Sequence, residues 1–138
     1  MPAAPAVLDS HALLAYFRGE ESGLRVRDLL DKAAAADRPL QMCDVNYAEV
    51  KYILLKKDGP AAWQQAEEVM KSLPIVFHAT NRALADSAAG FKARFKISLA
   101  DAFAAALAKE RNAELVTGDP EFKALEKEIR IVWLQRKV

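Results

Sequence analysis

Four acidic residues, Asp9, Glu49, Asp101 and Asp119, each fall where an apolar, strand-like run gives way to a helix or just inside that helix. The runs are APAVLD ending at Asp9, LQMCDVNYAE ending at Glu49, ISLAD ending at Asp101 and AELVTGD ending at Asp119. In open α/β sheets the ligand crevice lies outside the carboxyl ends of the strands, so at least the first and last of these carboxylates belong at one edge. Gathered carboxylates repel one another unless a cation lies between them. Hard divalent ions such as Mg²⁺ and Mn²⁺ take oxygen ligands of this kind, held through a few carboxylates and substrate phosphates. The spacing therefore predicts a divalent-metal site.

Each position also has a local explanation. Asp9 can cap the helix that follows it, and Asp119 precedes Pro120, a residue suited to the first helical position. Ser98 and Asp101 fit a capping box, the serine as N-cap and the aspartate three residues on. Glu49 is harder to explain by local structure, because Val45, Tyr52 and Ile53 lie on its own helix face and predict that it faces the sheet. An isolated buried carboxylate is costly, and Lys51 and Lys56 lie elsewhere on the helix. A shared metal satisfies Glu49 and accounts for the other three together.

The elements that must position these groups alternate between strand and helix. Ala6 to Leu8 is a short apolar run, followed by a helix from about Ser10 to Phe17 that Gly19 stops. An amphipathic helix through Leu24, Leu29, Leu30 and Ala33 ends near Asp37, and Pro39 opens a strand from Leu40 to Cys43. A helix from Asp44 is broken by Gly59 and Pro60, and Pro60 starts the next, through Trp63, Ala66 and Met70. Then come a strand from Pro74 to Phe77, a helix from about Asn81 to Phe95 and an alanine-rich helix from Leu99 to Glu110. A strand from Leu115 to Thr117, a short helix from Pro120 and a strand from Ile129 to Leu134 complete the pattern. This rhythm predicts an α/β fold with a mostly parallel sheet and helices on both faces. Short, continuously apolar strands predict a buried sheet.

The 138 residues form one domain, long enough to bury roughly 65–70% of the surface of the unfolded chain. Twenty Lys and Arg against nineteen Asp and Glu leave almost no net charge, so any nucleic-acid contact must come from a local patch. The single cysteine, Cys43, excludes an intramolecular disulfide and a cysteine-rich zinc site, and reads as a small buried hydrophobe at a strand end. The start MPAAPAVLDSHALL lacks the basic n-region of a signal peptide, and no stretch reaches the roughly 18 apolar residues of a membrane span. A cytoplasmic location without membrane attachment is the expectation.

The motifs carrying the acids resemble those of the PIN-domain nucleases, and most closely the small ribonuclease toxins of VapBC toxin–antitoxin systems. AVLDSHALLAYF is similar to the family's opening strand with its first acid, and VNYAEV to its glutamate helix. ISLADAFAAALA is similar to its third-acid helix, and LVTGDPEF to its strand-end motif with Thr117 and the fourth acid. The order Asp, Glu, Asp, Asp and its spacing make the resemblance specific. It implies a PIN-like three-layer α/β/α domain over residues 1–138, with a sheet of about five strands. It also implies a homodimer, an antitoxin partner and a catalytic, metal-binding quartet of Asp9, Glu49, Asp101 and Asp119, supported by Thr117 and Ser98. His11 departs from the pattern, since a small hydroxyl residue is common at that position.

The activity so implied is cleavage of single-stranded RNA with Mg²⁺ or Mn²⁺. Substrate contact is expected from local basic groups around the acidic pocket. Lys92, Arg94 and Lys96 precede the Asp101 helix and are interleaved with Phe91 and Phe95, a pattern able to grip a backbone through Arg94 and Lys96 and stack a base. The same residues also fit a solvated helix face with its aromatics packed inward. His11, beside the acidic edge, reads either as a substrate contact or as a first-turn histidine of the helix.

Overall fold

The computed structural model describes residues 5–134. Five strands, β1 (Ala6–Leu8), β2 (Leu40–Cys43), β3 (Ile75–His78), β4 (Glu114–Thr117) and β5 (Ile131–Trp133), form one sheet in the order β3-β2-β1-β4-β5. Every pairing is parallel. Six α-helices accompany them: α1 (Ser10–Phe17), α2 (Glu21–Ala35), α3 (Asp44–Lys57), α4 (Pro60–Met70), α5 (Arg82–Arg94) and α6 (Leu99–Glu110). A 3₁₀ turn spans Pro120–Leu125. The chain winds outward from β1 through β2 to β3, then returns to the other side of β1 with β4. The strand order therefore reverses at the β1–β4 pair, the position at which open parallel sheets form a crevice.

The central strands are apolar on both faces because helices cover both. Val7 and Leu115 pack with Phe91, Ala104, Leu107 and Phe122 beneath α5 and α6. Their neighbours Leu8 and Val116 pack the opposite way, with Leu13, Val26, Val50 and Trp63 beneath α1 to α4. All four of these strand residues are fully buried. The edge strands differ, since β3 and β5 are only partly covered. Gly23 permits close packing of α1 and α2, since a Cβ there would lie 2.3 Å from the Ala15 carbonyl oxygen. No helix among the described residues is long and apolar enough to cross a membrane.

Helix boundaries follow the capping chemistry of the sequence. Pro60 occupies the first turn of α4 after Gly59, whose φ of 93° lies in the left-handed region that glycine tolerates. Asn81 caps α5 by accepting from Leu84 N at 2.8 Å. The inward stripe of α3 is Asn46, Val50 and Leu54, while Tyr52 is 55% exposed. This corrects the expectation that Tyr52 and Glu49 share a sheet-facing stripe. Glu49 lies at the margin of that face, half-buried.

Candidate active site

Asp9 ends β1 and begins α1, and the fold uses its carboxylate twice. One oxygen accepts from Ala12 N at 2.8 Å, capping α1, and the other accepts from the hydroxyl of Thr117. The Thr117 hydroxyl in turn accepts from Asp119 N at 2.9 Å. A relay of hydrogen bonds thus links the ends of β1 and β4, whose register pairs Leu8 with Val116 one residue before. Asp119 caps the 3₁₀ turn by accepting from Glu121 N at 2.9 Å. That bond engages one oxygen and directs the Glu121 backbone toward the site.

Asp101 arrives from the other direction, in the first turn of α6. The Ser98 hydroxyl accepts from Asp101 N at 3.1 Å, so the serine caps the helix and leaves the aspartate carboxylate unengaged by that contact. Carboxylate oxygens of Asp101, Asp119 and Glu121 all lie within 4.8 Å of one another. Glu121 is the member that sequence reasoning missed. Its position two residues after Asp119 is the signal that was available, because a 3₁₀ turn brings i and i+2 closer than a strand would.

Burial and neighbouring charge shift two of these acids. Burial pushes the Asp9 carboxyl up from its usual 3.8 to about 7 against the Thr117 and Ala12 hydrogen bonds, and the charges of Asp101 and Asp119 add to the rise. Asp101 is likewise raised to about 7, first by burial and then by Asp119, against the Ser98 hydroxyl and with smaller contributions from Glu49 and Glu121. Glu49 on α3 is therefore close enough to influence Asp101. Among the described residues the ion pairs are Arg18–Asp58, Lys71–Glu68 and Arg94–Glu128, none of which reaches these acids. Asp101 is buried, Asp119 half-buried and Glu121 exposed, and carboxylates grouped in this way without a basic partner among the described residues fit a hard divalent cation, which would supply the positive charge.

His11 lies against this edge in an arrangement the sequence does not suggest. A Cβ at Gly118 would sit 2.6 Å from His11 Nε2, so glycine between Thr117 and Asp119 makes room for the ring. Nε2 is buried and has no hydrogen-bond partner among the described residues. The basic segment is divided. Phe91 is 2% exposed and belongs to the core, which is the inward-packed alternative for the aromatics of this segment. Arg94 donates to both carboxylate oxygens of Glu128, at 2.8 and 3.0 Å, and its guanidinium lies over Phe91 and Phe95. Lys96 is exposed and outside the ion pairs of the described residues. Cys43 is fully buried, and burial pushes its thiol up, so it is a packing residue.

A five-stranded parallel sheet with acids grouped beside its switch point defines the class: an α/β protein with an acidic cluster at the carboxyl edge. The chain belongs to the PIN-domain family of nucleases, whose model matches residues 6–128. Among solved structures, the chain is similar to DNA-bound VapBC from Salmonella typhimurium, at 16% identity and a TM-score of 0.75, over 96% of this chain and 100% of that one. It is also similar to VapBC2 from Rickettsia felis bound to a promoter DNA fragment, at 16% identity and a TM-score of 0.71, covering 92% and 96% of the two chains. A third is Mycobacterium tuberculosis VapC20, described as a sarcin-ricin loop cleaving toxin, at 17% identity and 0.66, covering 87% and 94%. At these identities the likeness is one of fold. No curated protein sequence matches the chain.

Proposed function

We propose that this chain is an endoribonuclease that cleaves single-stranded RNA with Mg²⁺ or Mn²⁺, acting as the toxin of a toxin–antitoxin pair. The observation that carries the reading is the cluster of Asp101, Asp119 and Glu121 beside buried Asp9, with no ion pair to any of them among the described residues. When bound there, a divalent cation lowers the pKa of its water and stabilises charge on the attacking and leaving oxygens of a phosphodiester. Asp9, Asp101, Asp119 and Glu121 hold it, and Glu49 at the margin orients the attacking water or completes the ligand set. Thr117 fixes the Asp9 carboxylate, and Ser98 fixes the turn that presents Asp101.

His11 and Lys96 are the groups we place along the substrate. Nε2 of His11 is buried against Gly118, so the ring reaches substrate only by turning outward, while exposed Lys96 supplies a phosphate contact. Arg94 joins them only by releasing Glu128. The fold shared with chains from VapBC and other toxin–antitoxin complexes supports a protein antitoxin as partner. An acidic edge favours an inserted arginine or lysine from such a partner, able to pair with the carboxylates and displace the cation. A homodimer acting in the cytoplasm completes the reading.

The test is cleavage of a single-stranded RNA by the purified full chain. Activity should require Mg²⁺ or Mn²⁺ and stop with EDTA. Expression of the chain alone should slow bacterial growth, and co-expression with the neighbouring open reading frame should restore it. RNA binding without metal-dependent cleavage would instead favour a non-catalytic PIN-like binding module.

A further inference from the structure

Asn46 stands one turn before Glu49 on α3, and its side chain is fully buried. Its Nδ2 donates to Ser10 Oγ at 3.0 Å and to the Ala100 carbonyl at 3.1 Å. Ser10 follows Asp9 in the chain, and Ala100 precedes Asp101. One amide thus joins the start of α1 to the start of α6, the two helices whose first residues frame the buried acids. The Ser10 hydroxyl also donates to the Asn46 carbonyl at 3.4 Å, which ties α3 into the same junction.

Stability alone does not explain this amide. Its Oδ1 is buried and has no partner among the described residues, a costly state that a leucine of similar shape would avoid. The elements it joins, however, each carry an acid of this edge, Asp9 as the N-cap of α1 and Asp101 in the first turn of α6. The separation of those acids is set by the backbone that carries them. Asn46 is placed there, adjacent in sequence to neither acid yet bonded to a neighbour of each.

We propose that Asn46 is a positioning residue: its two hydrogen bonds fix the starts of α1 and α6, and with them Asp9 and Asp101, relative to each other, and thereby set the affinity of the acidic edge for a divalent cation. The inference rests on reading the acidic edge as a cation site. Its action is indirect, like that of the outer groups that orient metal ligands elsewhere, whose loss costs roughly 10–100-fold in affinity.

The experiment is calorimetric titration of the full chain with Mn²⁺, well below its melting temperature. Asn46→Leu removes both donors and keeps the volume. It should weaken Mn²⁺ binding by roughly 10-fold or more, while the circular dichroism stays native and the metal-free melting temperature does not fall. Ser10→Ala removes one of the two anchors and should lose part of that affinity, and adding it to Asn46→Leu should cost nothing further at that anchor. A natively folded Asn46→Leu that binds Mn²⁺ as tightly as wild type overturns the proposal and leaves the cation site standing. If Asn46→Leu does not fold, unchanged affinity in Ser10→Ala overturns it. Wild type that takes up no Mn²⁺ overturns the cation reading itself.

Discussion

Two charged regions of this molecule follow opposite rules. At the rim, charges are paired: Arg94 meets Glu128 through two hydrogen bonds, and Arg18 meets Asp58 at 3.0 Å. At the carboxyl edge of the sheet, buried Asp9 and Asp101, half-buried Asp119 and exposed Glu121 gather without a basic partner among the described residues, and burial together with neighbouring charge raises Asp9 and Asp101 to about 7. Exposed pairs contribute little to stability, since water screens them and ordering long side chains opposes the gain. Buried like charges cost the metal-free fold something substantial. The difference supports our proposal that the acidic edge serves a ligand, whereas the rim serves the fold.

The largest expected effect comes from neutralising the edge. Asp9→Asn and Asp101→Asn keep volume while removing ligand charge, and each should lower metal-dependent RNA cleavage by at least about 100-fold, equivalent to about 2.7 kcal/mol of barrier. Robust turnover by either variant at saturating Mn²⁺ would place the chemistry elsewhere.

Next in size is the response of the metal-free protein to pH. Asp9 and Asp101 are raised from 3.8 to about 7, so the folded state keeps protons that the unfolded chain has already released. Their contribution to stability is complete below about pH 4 and is lost as the pH rises through about 7. Melting of the EDTA-treated protein should therefore occur at a higher temperature at pH 5.5 than at pH 8, and Asp9→Asn should flatten the slope. Saturating Mn²⁺ should reverse it, because deprotonated carboxylates bind the ion. A metal-free melting temperature that climbs toward pH 8 contradicts the assigned repulsion.

A smaller effect separates ligands from caps. Asp119→Asn preserves the cap on the 3₁₀ turn, since asparagine caps about as well as aspartate, and should leave the metal-free melting temperature unchanged or higher. Glu121→Gln should do the same. Added Mn²⁺ should then stabilise wild type more than either variant, by mass action on the folded state. Equal Mn²⁺ shifts in all three proteins would reduce Asp119 and Glu121 to local structure.

The smallest effect lies at the rim. Replacing both Arg94 and Lys96 with alanine should lower the slope of log RNA affinity against log salt by about 0.7 if only Lys96 touches a phosphate, and by about 1.4 if Arg94 leaves Glu128 to join it. Turnover at saturating RNA should change less than affinity, because such contacts bind substrate and transition state nearly alike. An unchanged slope would assign both side chains to the fold and move the RNA path toward His11 and Arg18.

Much of the architecture was legible in the chain because it is written locally. Pro60 after Gly59, Ser98 before the alanine-rich helix and Asn81 before α5 act within one turn, and the helix starts fall beside them. The strand ends and the order of Asp9, Glu49, Asp101 and Asp119 were equally readable, since apolar runs between helical patterns imply parallel strands. That acids at strand ends belong at one edge then follows from the geometry of such sheets, and of the four the structure brings carboxylate oxygens of Asp101 and Asp119 within 4.8 Å of each other.

Other features depend on partners distant in sequence. Glu49 and Tyr52 share a nominal helix face, but only the packing of α3 decided that Asn46, Val50 and Leu54 turn inward while Tyr52 stays exposed. Arg94 looks available in sequence, and Glu128, 34 residues away, engages it. Glu121 joins the acids through the 3₁₀ turn, and Asn46 spans 36 residues to Ser10 and 54 to Ala100. The sequence by itself determined which residues cap, break or repeat, because those energies arise within a turn of chain. Which polar groups share a buried space was decided by tertiary structure alone, because in the low-dielectric interior a charge or amide answers to whatever lies nearest, however remote along the chain.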